Sequence, residues 1–334
     1  MPSTAIRNRR IPMFIAAATA VVAGALAAYT ARAADDAAAY PARPIRIIVP
    51  YQTGGLPDIA ARLMAPRLTE LWKQPVVIDN RTGAGGIIGT EIVAKANPDG
   101  YTLVFVSSGH VALPAVNSQI PFDPRKDFSA VAMGAVGAYC LVVAPSLGVK
   151  SVKELIALAQ SKPGQLNFAS AGIGTGTHFA AELFKDLAKV DAVHIAFRGI
   201  PDGLTDTMGG RTQFFMPPLA SASGLAKDGK LLILAVSRRV PGYESIPTLS
   251  ESGLGKFNWD AWGGLLAPAK TPRAIINKLN AEINRILTVP EVRQRVVALG
   301  ADIVPLTPAE FDKLIDEQIQ MTTSLAKRAG IKPL

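Results

Sequence analysis

Short runs rich in β-branched residues alternate with amphipathic runs along most of this chain. The run at 45–49 is strand-like, and the stretch at 58–72 that follows it carries apolar residues at helical spacing. Further strands at 76–79 and 102–106 enclose a predicted helix at 86–96. Such alternation predicts an α/β fold in which helices cover largely parallel sheets.

The alternation restarts in the second half of the chain. The predicted strands lie at 166–170, 192–197, 213–216 and 231–236, and the helices between them at about 176–188, 201–209 and 219–228. The stretch at 109–128 reads as irregular because prolines interrupt it, and helices are predicted at 151–160, 272–288, 290–299 and 307–328.

Two such series of strands and helices predict two lobes. Strand-like segments near 141–144 and 263–267 separate the series, and we expect them to form a two-segment hinge. We therefore assign residues 34–143 and 264–334 to lobe 1 and residues 144–263 to lobe 2. The last helices are expected to pack on lobe 1.

The first 33 residues have the pattern of a secretory signal peptide. Basic residues at 7–10 precede an apolar stretch at 11–28, and the segment 31–33 fits a small-x-small cleavage site. We expect the mature chain to begin at Ala34 and to work in the periplasm. An uncleaved membrane anchor is the alternative, although the alanine-rich stretch barely reaches the length of a membrane span.

The charge balance argues against nucleic acid as a partner. The formal net charge of +9 falls to +5 when the four arginines of the first 33 residues are removed. No dense stripe of lysine and arginine remains that could follow a phosphate backbone. The mild positive surplus is instead compatible with an anionic small ligand.

The single cysteine, Cys140, lies in an apolar, strand-like run. A lone cysteine cannot form an internal disulfide in an exported protein. Its apolar setting favours a buried, inert thiol over a nucleophile.

Four loops follow predicted strands and could carry a binding site. They are PYQTGGLPD at 50–58, SSGH at 107–110, SAGIGTGTH at 170–178 and FRG at 197–199. Ligands of open α/β sheets bind at the carboxyl ends of strands, so these loops are expected to converge on one cleft.

The loop at 170–178 has the features of an anion-binding helix start. The first turn of a helix leaves backbone N–H groups without partners, and the helix dipole favours an anion there. Glycines allow the backbone to approach a ligand, and hydroxyls add donors. The residues concerned are Gly172, Gly174 and Gly176 with Ser170, Thr175 and Thr177. The loop at 54–58 repeats the design, and plain helix capping is the alternative for both loops.

Other glycine motifs are not assigned to phosphate binding. The spacing at 172–176 is not that of a dinucleotide fingerprint, and no lysine follows it as in a P-loop. The run GAGGIIG at 83–89 is interpreted mainly as tight turns and close packing at a helix start.

Catalytic signals are weak. The chain has three histidines, His110, His178 and His194, and none has metal-ligand spacing with another histidine or a cysteine. His194, in mid-strand, is expected to belong to the core. A set of Asp58, His178 and Ser108 across the cleft is conceivable, but nothing in the sequence specifies its geometry. We expect no metal, no cofactor and no enzymatic activity.

Several longer motifs together resemble one known family. They are VPYQTGGLPD at 49–58, PVVIDNRTGAGG at 75–86, NPDGYTL at 97–103, the stretch from 149 to 170 with GTGTH after it, and VPEVRQRVVALGA at 289–301. With them the mature chain resembles the periplasmic solute-binding proteins of tripartite tricarboxylate transporters, also called Bug receptors.

The resemblance implies a two-lobed periplasmic binding protein, type II-like, with a central cleft that closes like a Venus flytrap. It implies that the ligand is a small carboxylate, that the partners are the membrane subunits of such a transporter, and that the receptor is a monomer. A ligand-sensing receptor for a sensor kinase is the first alternative, and a periplasmic hydrolase is the second.

Family members hold the carboxylate through backbone N–H groups, hydroxyls and bridging water, and this pattern maps onto the four loops. Tyr51 stands where Phe is frequent, and Thr53 where Pro is frequent. The pair Pro217 and Pro218 replaces a polar pair, which removes a partner for an ammonium group. The expected ligand-binding residues are Tyr51, Thr53, Gly54, Gly55, Leu56, Asp58, Ser107, Ser108, Ser170, Gly174, Thr175, Gly176, Thr177, His178, Phe197, Arg198 and Pro217.

Overall fold

Two separate β-sheets organise the chain, and their helices form two lobes. The computed structural model describes residues 39–298, 300–331 and 333. The expected signal peptide and its cleavage site lie outside the described residues. The α/β class and the two-lobed periplasmic-binding-protein architecture are confirmed.

The sheet of lobe 1 has six strands in the order β11-β4-β10-β3-β1-β2. Their bounds are β1 Ile45–Val49, β2 Val76–Asn80, β3 Thr102–Ser107, β4 Phe128–Gly137, β10 Ala261–Pro268 and β11 Ala301–Asp302. β1 is parallel to β2 and β3, whereas β10 runs antiparallel to β3 and β4. The carboxyl ends of the three parallel strands therefore meet at one edge.

The sheet of lobe 2 has five strands in the order β7-β6-β8-β5-β9. Their bounds are β5 Cys140–Val143, β6 Asn167–Ser170, β7 Val193–Ala196, β8 Phe214–Phe215 and β9 Leu232–Val236. β6 is parallel to β7 and β8, and β5 is antiparallel to β8 and β9. Cys140 is buried, and burial raises the pKa of its thiol, as expected for an inert cysteine.

Nine longer helices are described along with short helical turns. They are α1 Leu56–Trp72, α2 Ile87–Ala94, α3 Val152–Ser161, α4 Gly176–Ala188, α5 Ile200–Met208, α6 Leu219–Lys227, α7 Arg273–Leu287, α8 Pro290–Ala298 and α9 Pro308–Arg328. Most begin and end within two residues of the predicted positions. As expected, α7 and α9 pack on the sheet of lobe 1, where both contact β4. Among the helices of the described part, none is long and apolar enough to cross a membrane.

Strand β4 is the main element that the sequence interpretation missed. Apart from an intermediate Ser129, Phe128–Gly137 is buried, and it pairs with β10 on one side and β11 on the other. Its alanines and glycines have low strand propensity, so the pattern did not signal a strand. Small residues are needed there because a Cβ at Gly134 would lie 2.5 Å from the Phe105 ring.

The connections between the sheets differ from the expected hinge positions. Cys140–Val143 lies wholly in the sheet of lobe 2, and Ala261–Pro268 lies wholly in the sheet of lobe 1. The chain therefore passes between the sheets at 138–139 and again between β9 and β10. The predicted boundaries at 143/144 and 263/264 fall inside or beside strands because both strands were read as the crossings themselves.

Candidate ligand-binding cleft

A cleft of about 1150 Å³ opens between the lobes at the carboxyl ends of the strands. Loops after β1, β3, β6 and β7 all contribute to its wall, as the strand-end rule predicts. Eleven of the expected residues line it: Tyr51, Thr53, Gly54, Gly55, Leu56, Ser107, Thr175, Gly176, Thr177, Phe197 and Arg198. The four predicted loops are thus brought together.

Six expected residues lie outside the lining of the cleft: Asp58, Ser108, Ser170, Gly174, His178 and Pro217. The structure places them behind the wall, where most of them shape the loops that do line it. Sequence position alone could not separate the two groups, because neighbouring residues on one loop point in opposite directions.

Asp58 holds the first loop in its bent form. Its buried carboxylate accepts hydrogen bonds from the Gly54 N–H at 3.1 Å, from Arg62 Nε at 3.0 Å and from Asn80 Nδ2 at 3.0 Å. Burial alone would raise the pKa of Asp58, but these hydrogen bonds lower it below its usual value. Asp58 is therefore an ionised brace for the loop.

Ser108 and Pro217 make contacts behind the cleft wall: Ser108 binds the segment that connects the lobes, and the Pro217 carbonyl accepts a hydrogen bond within lobe 2. The hydroxyls of Ser108 and Tyr139 are hydrogen-bonded at 2.8 Å, and both residues are buried. The Cys140 N–H donates to the Pro217 carbonyl at 2.9 Å. Tyr139 itself lines the cleft, as does Pro218.

The hydroxyls of the glycine loop are largely occupied by the loop itself. Thr175 Oγ1 donates to the Gly172 carbonyl at 2.7 Å and caps α4 by accepting from the His178 N–H at 3.4 Å. Thr177 Oγ1 accepts from the Ala171 N–H at 2.9 Å. Helix capping, the alternative named for this loop, therefore accounts for the Thr175 hydroxyl, and a hydrogen bond within the loop accounts for the Thr177 hydroxyl.

A stacked pair of histidines lies directly behind this loop. The rings of His178 and His194 are parallel with centroids 4.0 Å apart, and His178 Nδ1 accepts from the Gly174 N–H at 3.3 Å. His194 belongs to the edge strand β7 and is hydrogen-bonded to Ser170 Oγ at 2.6 Å, so it is less central than expected. Burial lowers the pKa of His178 to about 3 and that of His194 to about 4. Both rings are therefore neutral near pH 7 and add no positive charge.

The sequence interpretation missed the loop after β2 as part of the cleft. Residues 82–87 line it, and three glycines of this loop, Gly83, Gly85 and Gly86, adopt positive φ angles. Packing, the role assigned to this run, is also present, since a Cβ at Gly85 would lie 2.8 Å from the Ile173 carbonyl oxygen. The strand-end rule, applied to the strand at 76–80, would have predicted this loop as part of the cleft.

Other lining residues had no such signal in the sequence. Among them are Asn117, Tyr139, Ser221 and Trp262.

Four helices begin at the cleft without a side-chain cap. Their N-cap residues, Gly55 of α1, Gly86 of α2, Gly199 of α5 and Pro218 of α6, all line it. Uncapped helix starts present backbone N–H groups and the positive end of the helix dipole. The cleft wall therefore favours a bound anion.

Charged side chains are nearly absent from this wall. Among the described residues that line the cleft, Arg198 is the only charged one. No carboxylate of these lining residues therefore lies inside the cleft to compete with a bound anion. Within the described residues, no group of three or more His, Cys, Asp and Glu residues is arranged to hold a metal ion.

The sequence of this chain matches a known family of transport receptors. The sequence model of the family described as "Tripartite tricarboxylate transporter family receptor" matches residues 60–331. BugT of Bordetella pertussis is 34% identical over 298 residues, which cover 88% of this chain and 91% of BugT.

Two solved structures are similar over almost their whole length. Rpa4515 of R. palustris, solved with adipate, has a TM-score of 0.84 and 32% identity, covering 88% of this chain and 100% of that one. MatC of Rhodopseudomonas palustris, solved with bound malate, has a TM-score of 0.80 and 31% identity, covering 86% and 100%.

Proposed function

We propose, since this chain belongs to the tripartite tricarboxylate transporter receptor family, that it captures a small carboxylate in the periplasm. We propose further that it delivers this ligand to the membrane subunits of a transporter of that type. The expected ligand is a dicarboxylate or an aromatic carboxylate.

The observation that carries the proposal is the electrostatic character of the cleft. Four uncapped helix starts and Arg198 face a space in which none of the described lining residues carries a carboxylate. A carboxylate is stabilised by such backbone donors, and each hydrogen bond to a charged group contributes roughly 1.5–3 kcal/mol. A cation would meet no counter-charge there.

Two relatives and one departure from the family pattern narrow the ligand class. The similar structures were solved with adipate and with malate, which are both dicarboxylates. Pro218 lines the cleft where a polar residue is frequent in the family. An amino-acid ligand is disfavoured because its ammonium group would face an apolar wall and the positive ends of helix dipoles, with no carboxylate among the described lining residues.

We propose binding without catalysis. Asp58, Ser108 and His178, the conceivable catalytic set, are each hydrogen-bonded to a different partner: Arg62, Tyr139 and the Gly174 N–H, respectively. A catalytic triad requires these side chains to bond to one another in sequence. The arrangement supports a structural role for all three.

Thermal unfolding against a carboxylate panel tests this function. A ligand that binds only the folded chain stabilises it by about 2.7 kcal/mol at a hundredfold excess over Kd, which raises the melting temperature. The panel contains malate, adipate, benzoate and benzene-1,2-dicarboxylate. Aspartate is the matched control for malate, since it replaces one hydroxyl with an ammonium group.

At least one carboxylate should raise the melting temperature, and aspartate should not. The absence of any shift across the panel would refute the proposed function. Uptake of the identified carboxylate by cells with and without the gene then separates delivery to a transporter from sensing, because a sensing receptor leaves uptake unchanged.

A further inference from the structure

One arm of the cleft runs between two helices of lobe 2. The cleft volume of about 1150 Å³ exceeds the roughly 300–1,000 Å³ of pockets that bury drug-sized ligands. A dicarboxylate of four to six carbons would fill only part of it. We name the arm between the helices the α5–α6 groove, lined by Ile200, Leu204, Thr205, Met208, Ser221 and Leu225.

Helical spacing makes this groove continuous. Ile200, Leu204 and Met208 are separated by four residues each, so they form one stripe along α5. Ser221 and Leu225 form the corresponding stripe along α6. The stripe on α5 extends about 12 Å from its first to its last residue, at 1.5 Å of rise per residue.

The groove begins where the carboxylate is expected to bind. α5 starts directly after Gly199, its uncapped N-cap residue, and Arg198 precedes that glycine at the cleft wall. The start of α5 therefore faces the anion, and the side of the same helix leads away from it. A ligand anchored there by a carboxylate would extend its remaining atoms along the groove.

The groove wall is apolar and only partly covered. Leu204 is buried, whereas Ile200, Met208 and Leu225 are half-buried, and no lining residue of the groove is charged. Ser221 Oγ is buried and has no hydrogen-bond partner within the described part of the chain. The Thr205 hydroxyl already donates to the Pro201 carbonyl at 2.9 Å. A buried hydroxyl without a partner is costly, so Ser221 is the hydroxyl of this wall that a ligand group could satisfy.

We propose that the α5–α6 groove is a subsite for the apolar body of an elongated monocarboxylate that carries at most one neutral polar group. This inference rests on the proposed function, because the carboxylate must bind at the helix starts. A second carboxylate in the groove would lose its hydration without gaining a positive partner. Within the proposed ligand class the groove therefore favours aromatic carboxylates, and more generally alkyl or aryl monocarboxylates, over dicarboxylates of equal length.

Calorimetric titration with a chain-length series tests the subsite. The probes are butanoate, hexanoate, octanoate and octanedioate, with malate as a short reference ligand. Each methylene that enters the groove should tighten binding about fourfold, which corresponds to about 0.8 kcal/mol. Octanoate should bind far more tightly than octanedioate. The far end of octanoate is an uncharged methyl group, whereas octanedioate would bring a second carboxylate into the groove.

A matched pair of variants assigns the effect to the groove. Leu225→Asp places a carboxylate in the groove, and Ser223→Asp places the same charge on the same helix outside the lining. The chain-length increment should vanish in Leu225→Asp and persist in Ser223→Asp. Thr205→Asp on the exposed rim of α5 gives a second groove variant if Leu225→Asp unfolds.

The outcomes separate this inference from the proposed function. If malate and the monocarboxylates bind with affinities independent of chain length, or if Leu225→Asp keeps the increment, the subsite is wrong and the receptor function stands. If no carboxylate binds at all, both are wrong. Sedimentation that shows a dimer dissolved by Leu225→Asp would assign the groove to a second copy of the chain and overturn the subsite.

Discussion

Individual glycines at the cleft differ in what a side chain would meet, and this decides which of them can test ligand approach. Gly55 has a φ angle of −79°, and a Cβ there would have no atom nearer than 3.8 Å. Gly174 has a φ angle of +80°, and its Cβ would lie 2.7 Å from Val116 Cγ2. Substitution of Gly174 would therefore disturb its own loop, whereas Gly55 tolerates a side chain that projects toward the cleft.

The first prediction concerns the backbone donors. Gly55→Val should abolish carboxylate binding while the fold stays intact, because it adds bulk at an uncapped helix start. Gly224→Val is the control, since a Cβ at Gly224 meets no atom within 4 Å and the residue lies outside the cleft lining. Calorimetry with circular dichroism measures both effects.

Arg198→Ala completes this test. Arg198 is exposed, so its ion pair with a ligand is expected to contribute no more than about 1 kcal/mol. If Arg198→Ala alone abolishes binding while Gly55→Val binds normally, the anion is held by an arginine and not by the backbone.

The second prediction concerns the histidines. Burial lowers the pKa values of His110, His178 and His194 to between about 3 and about 4, below the ordinary 6.5. Between pH 4 and 6.5 the unfolded chain therefore binds more protons at these sites than the folded chain. Their contribution to stability is complete above pH 6.5 and is lost as the pH falls through this range.

Urea denaturation at several pH values measures this loss. Unfolding free energy should fall from pH 7 to pH 5, and the fall should be smaller in a His194→Asn variant. The imidazole signals of the folded protein should remain those of neutral rings over the same range. A folded-state titration of His178 near pH 6.5 would contradict the prediction.

The sequence predicted the loops of the site better than the individual contacts. Strand-end position is a property of the backbone pattern, and it brought eleven of the expected residues into the cleft wall. Side-chain direction within a loop depends on hydrogen bonds such as Gly54 N–H to Asp58, which no local pattern encodes. Ser170 and His178 were misplaced for this reason.

At the scale of secondary-structure elements, the contrast between α4 and β4 shows where local signals end. The predicted helix at 176–188 coincides with α4 because Thr175 caps it and its apolar face is periodic. β4 has more alanine and glycine than strand-forming residues and no regular alternation, and it forms because both its edges pair and α7 and α9 cover it. Tertiary burial thus overrides propensity in this strand of lobe 1.

The third prediction tests this account of β4. Gly134→Val should destabilise the protein by about 1–3 kcal/mol, because the added atoms would overlap the ring of Phe105 in a close-packed core. Urea unfolding of this variant beside Gly224→Val measures the difference. Equal stabilities would show that the sheet has room for a larger residue and that small residues are not required there.

At the scale of the whole molecule, the two connections between the lobes are joined to each other. The Tyr139 N–H donates to Ser237 Oγ at 3.0 Å, and Ser237 Oγ donates to Asp260 Oδ1 at 2.7 Å. The Ser237 N–H donates in turn to the Tyr139 carbonyl at 2.8 Å. We propose that this cluster, and not the strands near 141–144 and 263–267, is the hinge between the lobes.

The rims of the cleft also touch each other through residues outside this cluster. A Cβ at Gly199 in lobe 2 would overlap the side chain of Gln52 in lobe 1, and Gly85 lies against the Ile173 carbonyl. These contacts join the rims of the two lobes over part of the cleft. We expect them to separate when a ligand enters, because an anion bound between the helix starts would be enclosed by both rims.

The last prediction concerns that opening. Small-angle scattering should give a smaller radius of gyration with a saturating carboxylate than without it, because the ligand bridges helix starts from both lobes. Ser237→Ala removes the central member of the hinge cluster, so the ligand-free variant should be more open than the wild type. The radius of gyration of this variant should still fall on binding.

Ser223→Ala serves as the matched control, because Ser223 lies on α6 outside the cluster and the cleft lining. Equal radii for the ligand-free wild type and Ser237→Ala would place the hinge elsewhere. An unchanged wild-type radius on binding, together with a ligand-free radius equal to that of the closed structure, would show that the ligand-free protein is already closed and that binding does not close the lobes.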